Sequence, residues 1–393
     1  MNDFLVKAVE AERCIVIFGA SILGKVVLDS LELLDVRPEC FCDNDVQKQE
    51  NSFHGYKVIS FEKLQADYPD ALVIIAAGRY ANEIRHQLAN AGYKDTYSDA
   101  DVIGCIDFKN TPSSNLKKIL WHLAKLGKLP EIKAFPSNGL DLPRLNVVVT
   151  SRCTLRCKRC SSMMPYYKKP SDLETSKIFH SLDRLFSCVD RIYHVEALGG
   201  EPFLNPDLPL IVEHLVRSEK VFQIDVITNG TLVPSDSVLA PLKNDRVSVV
   251  INNYGTLSLQ MKGLSKALNR LGIDFRINKH WAWADLGDCQ RRNLPDDQLA
   301  ELFGRCHFNS CTELLDGKLY RCPRSSHGTR TGMISHYSED MVDLLDLSIP
   351  IDLLKENINT FYRDKRFIRA CDHCNGNTRE SLTMVPAEQI GRE

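Results

Sequence analysis

Cys153, Cys157 and Cys160 stand within eight residues of one another in the text CTLRCKRC. Three thiolates at that spacing can hold three irons of a cubane cluster. The fourth iron then lacks a protein ligand, and an open position of that kind suits a reactive cluster more than one that only carries electrons. A structural zinc site would want a fourth Cys or His nearby to complete its tetrahedron, and CxxxCxxC supplies none. Two further motifs follow. Gly199-Gly200-Glu201-Pro202 pairs glycines, which let backbone groups approach a ligand closely, with the Glu201 carboxylate, which suits a cationic amine. Thr228-Asn229, before Gly230, adds polar side chains. Either motif alone reads as an ordinary turn, but the three in this order are hard to obtain by accident.

Elements must hold these motifs in one place. The apolar runs LNVVVT, RIYHVEAL and QIDVITNG read as strands ending at the triplet, at GGEP and at TNG. Helix-like SDLETSKIFHSLDRLF and DLPLIVEHLVRS lie between them, and strand-like DRVSVVINN and IDFRINK follow. Such alternation implies parallel pairing. About six units over residues 144–300 would make an α/β partial (β/α)6 barrel with its reactive face at the strand C-termini. Candidates at that mouth are His194, Glu196, Tyr254, Arg276 and His280, with Asn253, Asn278, Trp281 and Trp283 beside them. Strand side chains alternate, so His194 and Glu196 share a face, as do Arg276, Asn278 and His280. A polar, partly aromatic mouth suits a small, hydroxylated, sugar-like substrate and a base to take the proton of a substrate radical. For any single one of these residues a structural role is the more ordinary reading.

With those residues in view, the chain resembles the radical S-adenosylmethionine (SAM) superfamily over roughly 144–300, through CxxxCxxC after one strand and a GGE-type motif after the next. The resemblance implies that Cys153, Cys157 and Cys160 hold a [4Fe-4S] cluster whose free iron is chelated by SAM. Gly199, Gly200, Glu201 and Pro202 would then hold the amino end of SAM, with Thr228 and Asn229 at the same rim. It further implies reductive cleavage to a 5′-deoxyadenosyl radical and an electron donor of the flavodoxin or ferredoxin type. Where the family usually places an aromatic residue before the third cysteine, this chain has Arg159.

Residues 301–393 carry Cys306, Cys311, Cys322, Cys371 and Cys374, with CTELLDGKLYRC reading as a hairpin that turns at Gly317. Four thiolates from two distant segments make a closed site, suited to a cluster or to zinc. The spacing resembles the twitch form of the SPASM region. That resemblance implies an auxiliary [4Fe-4S] cluster on Cys306, Cys322, Cys371 and Cys374, with Cys311 as an alternative to Cys306. A cluster with four protein ligands cannot bind substrate, so its natural work is to accept or relay one electron. An oxidoreductase-type reaction, dehydrogenation of a sugar, nucleotide-sugar or aminocyclitol, fits. Epimerisation fits if Cys289 or Cys311 returns a hydrogen atom. The rival reading is maturation of a ribosomally made peptide, and a non-catalytic iron-sulfur or zinc scaffold ranks last.

Residues 1–105 read as a Rossmann-like, doubly wound domain, and 106–143 as a linker with a short helix, LKKILWHLAKLGK. Gly19, Ser21 and Gly24 keep the GxGxxG spacing with serine at the central glycine, and Asp43 stands where a ribose-binding acid would. This segment resembles small Rossmann-like domains beside sugar-modifying enzymes, some of which bind a nucleotide-sugar. A docking or dimerising role is the equal alternative. Against 51 acidic residues stand 49 basic ones, without a single-sign block, so nucleic acid is not an expected partner. No run approaches the ~20 apolar residues of a membrane helix, and MNDFLVKAVEAER lacks a signal peptide's basic and apolar segments, so the expected location is the cytoplasm.

Overall fold

The computed structural model describes residues 13–49, 52–77, 80–107, 119, 140–363, 366–378 and 380–391. The opening segment and the expected linker helix LKKILWHLAKLGK lie outside the described residues, apart from the single position 119. Two compact units divide the chain, 1–138 and 139–393. Among the described residues no helix is long and apolar enough to cross a membrane.

The first unit holds strands β1 (Ile15–Phe18), β2 (Cys40–Cys42), β3 (Ser52–Phe53), β4 (Tyr56–Ile59), β5 (Leu72–Ile75) and β6 (Thr96–Ser98), in the order β3-β4-β2-β1-β5-β6. All neighbours are parallel except the β3–β4 hairpin. Its helices are α1 (Ile22–Leu33), α2 (Val46–Gln49), α3 (Phe61–Asp67), α4 (Ala81–Asn90) and α5 (Asp99–Ile103). Alternate residues of β1 serve opposite layers. Ile15 and Ile17 pack with Val27 and Leu31 of α1, while Val16 and Phe18 pack with Leu64 of α3 and Ile84 and Leu88 of α4. The unit is therefore doubly wound, as expected, with its strand order reversing at β1.

The second unit holds β7 (Asp141–Leu142), β8 (Leu145–Thr150), β9 (Arg191–Gly199), β10 (Val221–Thr228), β11 (Val247–Asn253), β12 (Asp274–Lys279), β13 (Trp283–Ala284), β14 (Glu313–Leu315), β15 (Lys318–Tyr320), β16 (Met341–Asp343) and β17 (Thr383–Met384). Its helices are α6 (Thr175–Cys188), α7 (Leu208–Arg217), α8 (Asp236–Leu239), α9 (Met261–Leu271), α10 (Asp296–Arg305), α11 (Pro323–Thr331) and α12 (Ile351–Arg363). Strands β8 to β12 run parallel in the order β12-β11-β10-β9-β8. Leu182 and Leu185 of α6, Ile211 and Leu215 of α7 and Leu264 and Leu268 of α9 pack on the outward residues Val147, Val195, Ala197, Val226 and Val249. The opposite set, Asn146, His194, Glu196 and Asp225, faces the lumen.

The six parallel strands expected of the partial barrel are present: five are β8 to β12, and the sixth is β14, beyond residue 300, which pairs with β8. The cysteine-rich C-terminal region is thus stitched into the barrel sheet, since β15 and β16 continue it antiparallel. Asp316 and Gly317 both have positive φ, 50° and 83°, the geometry of the tight hairpin expected there.

Gly19 shows why a glycine must end β1. Its φ is +127°, and a Cβ there would lie 2.3 Å from the Ala76 carbonyl oxygen. Gly19→Ala should therefore cost the first unit roughly 3 kcal/mol. Hydrogen exchange should show the β1 and β5 amides losing protection while β8–β11 keep theirs; unchanged protection in β1 would contradict this packing.

Candidate functional site

The cysteine loop leaves β8 and is fixed at its start by ionic and polar bonds. Arg152 donates from Nε and Nη2 to the two Asp172 oxygens, at 2.9 and 2.6 Å, and Thr150 Oγ1 donates to the same carboxylate at 2.7 Å. The turn after β9 presses on this loop. A Cβ at Gly199 would lie 2.1 Å from the Thr150 oxygen, and one at Gly200 would meet the Arg152 oxygen at 2.1 Å and the Cys153 Cβ at 2.7 Å. Paired glycines are thus required by the protein's own packing.

Glu201 does something other than the expected capture of a ligand amine. It is fully buried, and its carboxylate accepts from Thr228 Oγ1 at 2.8 and 2.9 Å, from the Asn229 N–H at 2.9 Å and from the Phe203 N–H at 3.2 Å. It ties the ends of β9 and β10 together. Asn229 in turn donates to Thr154 Oγ1 at 3.0 Å and points its Nδ2 at the Cys153 sulfur, 3.8 Å away. Pro202 starts a single turn of 3-10 helix and is buried.

A cavity of about 470 Å³ opens over these groups. Cys153, Cys157, Cys160, Gly199, Gly200, Thr228 and Asn229 line it, as do Tyr254, His280 and Trp283 at the rim. Tyr254 stacks on His280 with ring centroids 5.4 Å apart and meets Trp283 edge-on at 5.5 Å. Burial lowers His280 from its ordinary value. Trp281 is 79% exposed with Lys279 over its ring, so it belongs neither to the core nor to the mouth. Arg159, in a left-handed conformation, also lines the cavity and pairs with Asp285 at 3.1 Å.

Of the expected catalytic residues, Glu196 reaches this cavity, whereas His194 and Arg276 do not. Both close on Asp225 below it. His194 Nε2 stands 2.8 Å from Asp225 Oδ2, and Arg276 bonds both carboxylate oxygens. Burial would raise the Asp225 carboxyl, but these two partners hold it well below the carboxylate range. A buried carboxylate needs such pairing, which removes His194 and Arg276 from reach of a substrate.

Arg144, Asn146 and Glu313, which no motif marks, complete the lumen together with Cys311. Arg144 bonds the Glu196 carboxylate and donates from Nε to Asn146 Oδ1 at 3.1 Å. Glu313 accepts from Asn146 Nδ2 at 3.3 Å and from Ser326 Oγ, and its Oε1 lies 3.2 Å from Nε2 of the fully buried His327. His327 Nδ1 is 2.6 Å from the half-buried Tyr167 hydroxyl. Burial pushes the Glu313 carboxyl up, yet His327, Ser326 and Asn146 together bring it below its ordinary value. The one sequence signal was Asn146, a polar residue inside an apolar strand; Glu313 reads as a solvated hairpin residue until β14 is seen to pair with β8.

Cys306, Cys322, Cys371 and Cys374 line a second, small cavity of about 20 Å³ with Phe303, Phe308 and Ile368, while Cys311 lines the first. Cys322 is the N-cap of α11 and accepts from the Ser325 N–H, while burial pushes its thiol well above the ordinary range. Cys371 and Cys374 sit on and just after a turn whose Arg369 and Ala370 N–H groups both bond Asp340 at 2.8 Å. Cys289 is turned away, its sulfur 3.0 Å from Arg324 Nη2.

All 14 cysteines are free. Among the described residues no three His, Cys, Asp or Glu side chains converge tightly enough to hold a metal ion, so each thiol group is defined by its cavity and by the donors aimed at its sulfurs. Leu155 N–H points at Cys153, Gln389 Nε2 at Cys157, and the N–H groups after Cys160 at its sulfur. In the second group Asn377, Ser325, Ile368 and Gly376 serve Cys306, Cys322, Cys371 and Cys374. Burial pushes Cys157 up to about 11 and Cys153 and Cys371 up to about 12. Sulfurs that each receive an N–H fit thiolate ligands whose charge a bound metal or cluster would offset.

In the first unit a cavity of about 610 Å³ at the C-terminal ends of β1, β2 and β5 is lined by Gly19, Ser21, Asp43, Lys48 and Tyr80. Gly24 is not on it: a Cβ there would meet the Gly19 oxygen at 2.1 Å, so its role is close packing. Ser21 accepts from the Gly24 N–H as the α1 N-cap. Asp43 accepts from the Ala20 and Asp45 N–H groups and from Lys48 Nζ, all at 2.9–3.0 Å. Its carboxylate is engaged by the turn after β1 and by its own loop.

Residues 147–256, from within β8 to just past β11, match the model of the Radical SAM superfamily, a stretch that includes the cysteine loop and the ends of β9 to β11. Residues 11–97 match the model described as C2185-like, N-terminal. The GTP 3′,8-cyclase of Clostridium acetobutylicum is 32% identical over 144 residues, 33% of this chain and 45% of that protein. Molybdenum cofactor biosynthesis protein 1 of Homo sapiens is 38% identical over 174 residues, 42% of this chain and 26% of that protein. The chain thus spans less than half the length of these relatives. Among solved structures, BtrN in complex with AdoMet and 2-DOIA is 14% identical, covering 61% of this chain and 97% of that chain with a TM-score of 0.41.

Glu201 gives the site a pH signature. Burial raises its carboxyl from 4.5 to about 7, although its N–H and O–H donors pull the other way. The folded chain then holds a proton that the unfolded chain releases, so this stability is full below the unfolded value and is lost as pH rises through the folded one. Between pH 4 and pH 8 the stability of the parent relative to Glu201→Gln should fall by roughly 3 kcal/mol in denaturant titrations. A difference flat with pH would overturn the assignment.

Proposed function

We propose that this chain is a radical SAM enzyme that oxidises or epimerises a small hydroxylated molecule: a sugar, nucleotide-sugar or aminocyclitol. The observation that carries the reading is the pair of thiol groups, three and four, each sulfur with an N–H donor and each group lining a cavity. Cys153, Cys157 and Cys160 would hold the SAM-binding [4Fe-4S] cluster, the Gly199–Gly200 backbone with Thr228 and Asn229 would hold SAM, and Cys306, Cys322, Cys371 and Cys374 an auxiliary [4Fe-4S] cluster. When bound, these groups supply one-electron cleavage of the sulfonium to methionine and a 5′-deoxyadenosyl radical that removes a hydrogen atom from substrate, together with a one-electron acceptor.

The chain's own residues do the rest. Arg144 and Glu196 offer a donor and an acceptor to substrate hydroxyls. Glu313, a carboxylate on the lumen, takes the hydroxyl proton, and His327 with Tyr167 behind it holds the base in place and stabilises the charge change. Tyr254, His280 and Trp283 narrow the rim and limit water. A cavity of about 470 Å³ falls in the range of small-molecule sites. A flavodoxin or ferredoxin is the fitting class of electron donor.

Anaerobic reconstitution should load about eight irons and eight sulfides per chain, the content of two cubanes. With SAM and dithionite the product should include 5′-deoxyadenosine, and Cys157→Ala should abolish it. Cys371→Ala should still form 5′-deoxyadenosine but lose substrate turnover; turnover retained would refute the electron-acceptor role. Glu313→Gln should lower turnover about 10²-fold, the ordinary scale of a lost general base, with SAM cleavage preserved. Unchanged turnover in that variant would remove Glu313 from the proton transfer.

A further inference from the structure

The segment from Ser381 to Ile390 crosses back over the cysteine loop. β17 pairs with β13 at the rim, and beyond it Ala387 is fully buried in a left-handed conformation, φ 56°. The strap then runs alongside the loop at Cys157. The Lys158 N–H donates to the Glu388 oxygen at 2.6 Å and the Ile390 N–H to the Arg156 oxygen at 2.9 Å, closing an antiparallel bridge between Cys157 and Gln389. Lys158 Nζ and Glu388 Oε1 add an ion pair at 3.1 Å.

The Gln389 side chain sits inside this bridge with both ends assigned. Its Oε1 accepts from the Arg156 N–H at 2.7 Å. Its Nε2 donates to the Ala387 oxygen at 2.6 Å and to the Cys157 sulfur at 3.3 Å. Because one neighbour is an N–H and another a carbonyl oxygen, the reverse orientation of the amide is excluded, and an N–H must face the sulfur. Beside its own backbone N–H, Cys157 thus has a donor from a distant side chain, more than 200 residues on, whereas the donors to Cys153 and Cys160 come from their own loop and the adjoining strand end.

We infer that Gln389 is a positioning residue that tunes the reduction potential of the cluster on Cys153, Cys157 and Cys160, through its N–H bond to the Cys157 sulfur. This rests on the radical SAM reading above. An N–H donor favours the more negative state of a cluster, because the bond strengthens as charge builds on sulfur. The C-terminal strap would in this way set how readily the cluster accepts the electron that begins the reaction. It would do so from outside the cavity and without touching substrate or SAM.

The test is a redox titration of the reconstituted full chain followed by electron paramagnetic resonance, with the triplet's signal identified as the one that changes on adding SAM. Gln389→Leu should make reduction about tenfold less favourable, a midpoint about 59 mV more negative for a one-electron couple. Gln389→Glu keeps the shape but puts a carboxylate at the sulfur, and should shift it further in the same direction. Glu388→Ala breaks the ion pair and leaves the amide, so its midpoint should match the parent. An iron-loaded Gln389→Leu, or Gln389→Glu if the former loses its cluster, with an unmoved midpoint would overturn the inference. So would a Glu388→Ala shift as large as that of Gln389→Leu, because the strap would then act only as a clamp. A parent chain with no iron and no SAM-responsive signal would sink the radical SAM reading itself.

Discussion

The cysteine loop reaches the end of β9 only because positions 199 and 200 carry no side chain. Any Cβ there would overlap the backbone of Thr150 or Arg152 by more than an ångström. That close approach brings the ends of β8, β9 and β10 to one rim, and the buried Glu201 carboxylate locks it by accepting from Thr228 and Asn229. Asn229 then faces the first cysteine. Removing two side chains and burying one carboxylate therefore fix the geometry of the triplet before any ligand binds.

Below the rim the lumen is polar, which an ordinary core is not. Its charges are tolerated because each is matched: Asp225 by His194 and Arg276, Glu196 by Arg144, Glu313 by His327 and Ser326. This matching sorts the carboxylates into two levels. Asp225 is closed off beneath the cavity, while Glu196 and Glu313 line it. The sheet's other face is apolar and holds the helices, so the alternation of each strand separates chemistry from stability.

The two thiol groups are built by different means. The triplet is local, held on one loop and covered by the strap at Gln389. The second group is assembled from a helix cap, a turn anchored by Asp340 and the residue after α10, all in the segment that β14 joins to the barrel sheet. Phe308 lines both cavities, so a single aromatic side chain forms part of the wall of each.

The sequence by itself determined the elements and the local chemistry. Apolar runs ending at cysteine, glycine and threonine marked β8, β9 and β10, and the spacing of Cys153, Cys157 and Cys160 marked one loop, because strand period and motif spacing are short-range properties. The doubly wound first unit was legible for the same reason. Only the tertiary structure decided which polar residues meet. Glu313 and Cys311 enter the lumen through a pairing between strands more than 160 residues apart, and Glu201 turns inward because its donors stand on the next strand. His194 and Arg276 looked like mouth residues since alternation gives a face but not a depth, and Asp225 between them drew both below the cavity. Long-range pairing and the cost of an unmatched buried charge settle such questions, and neither is written in local spacing.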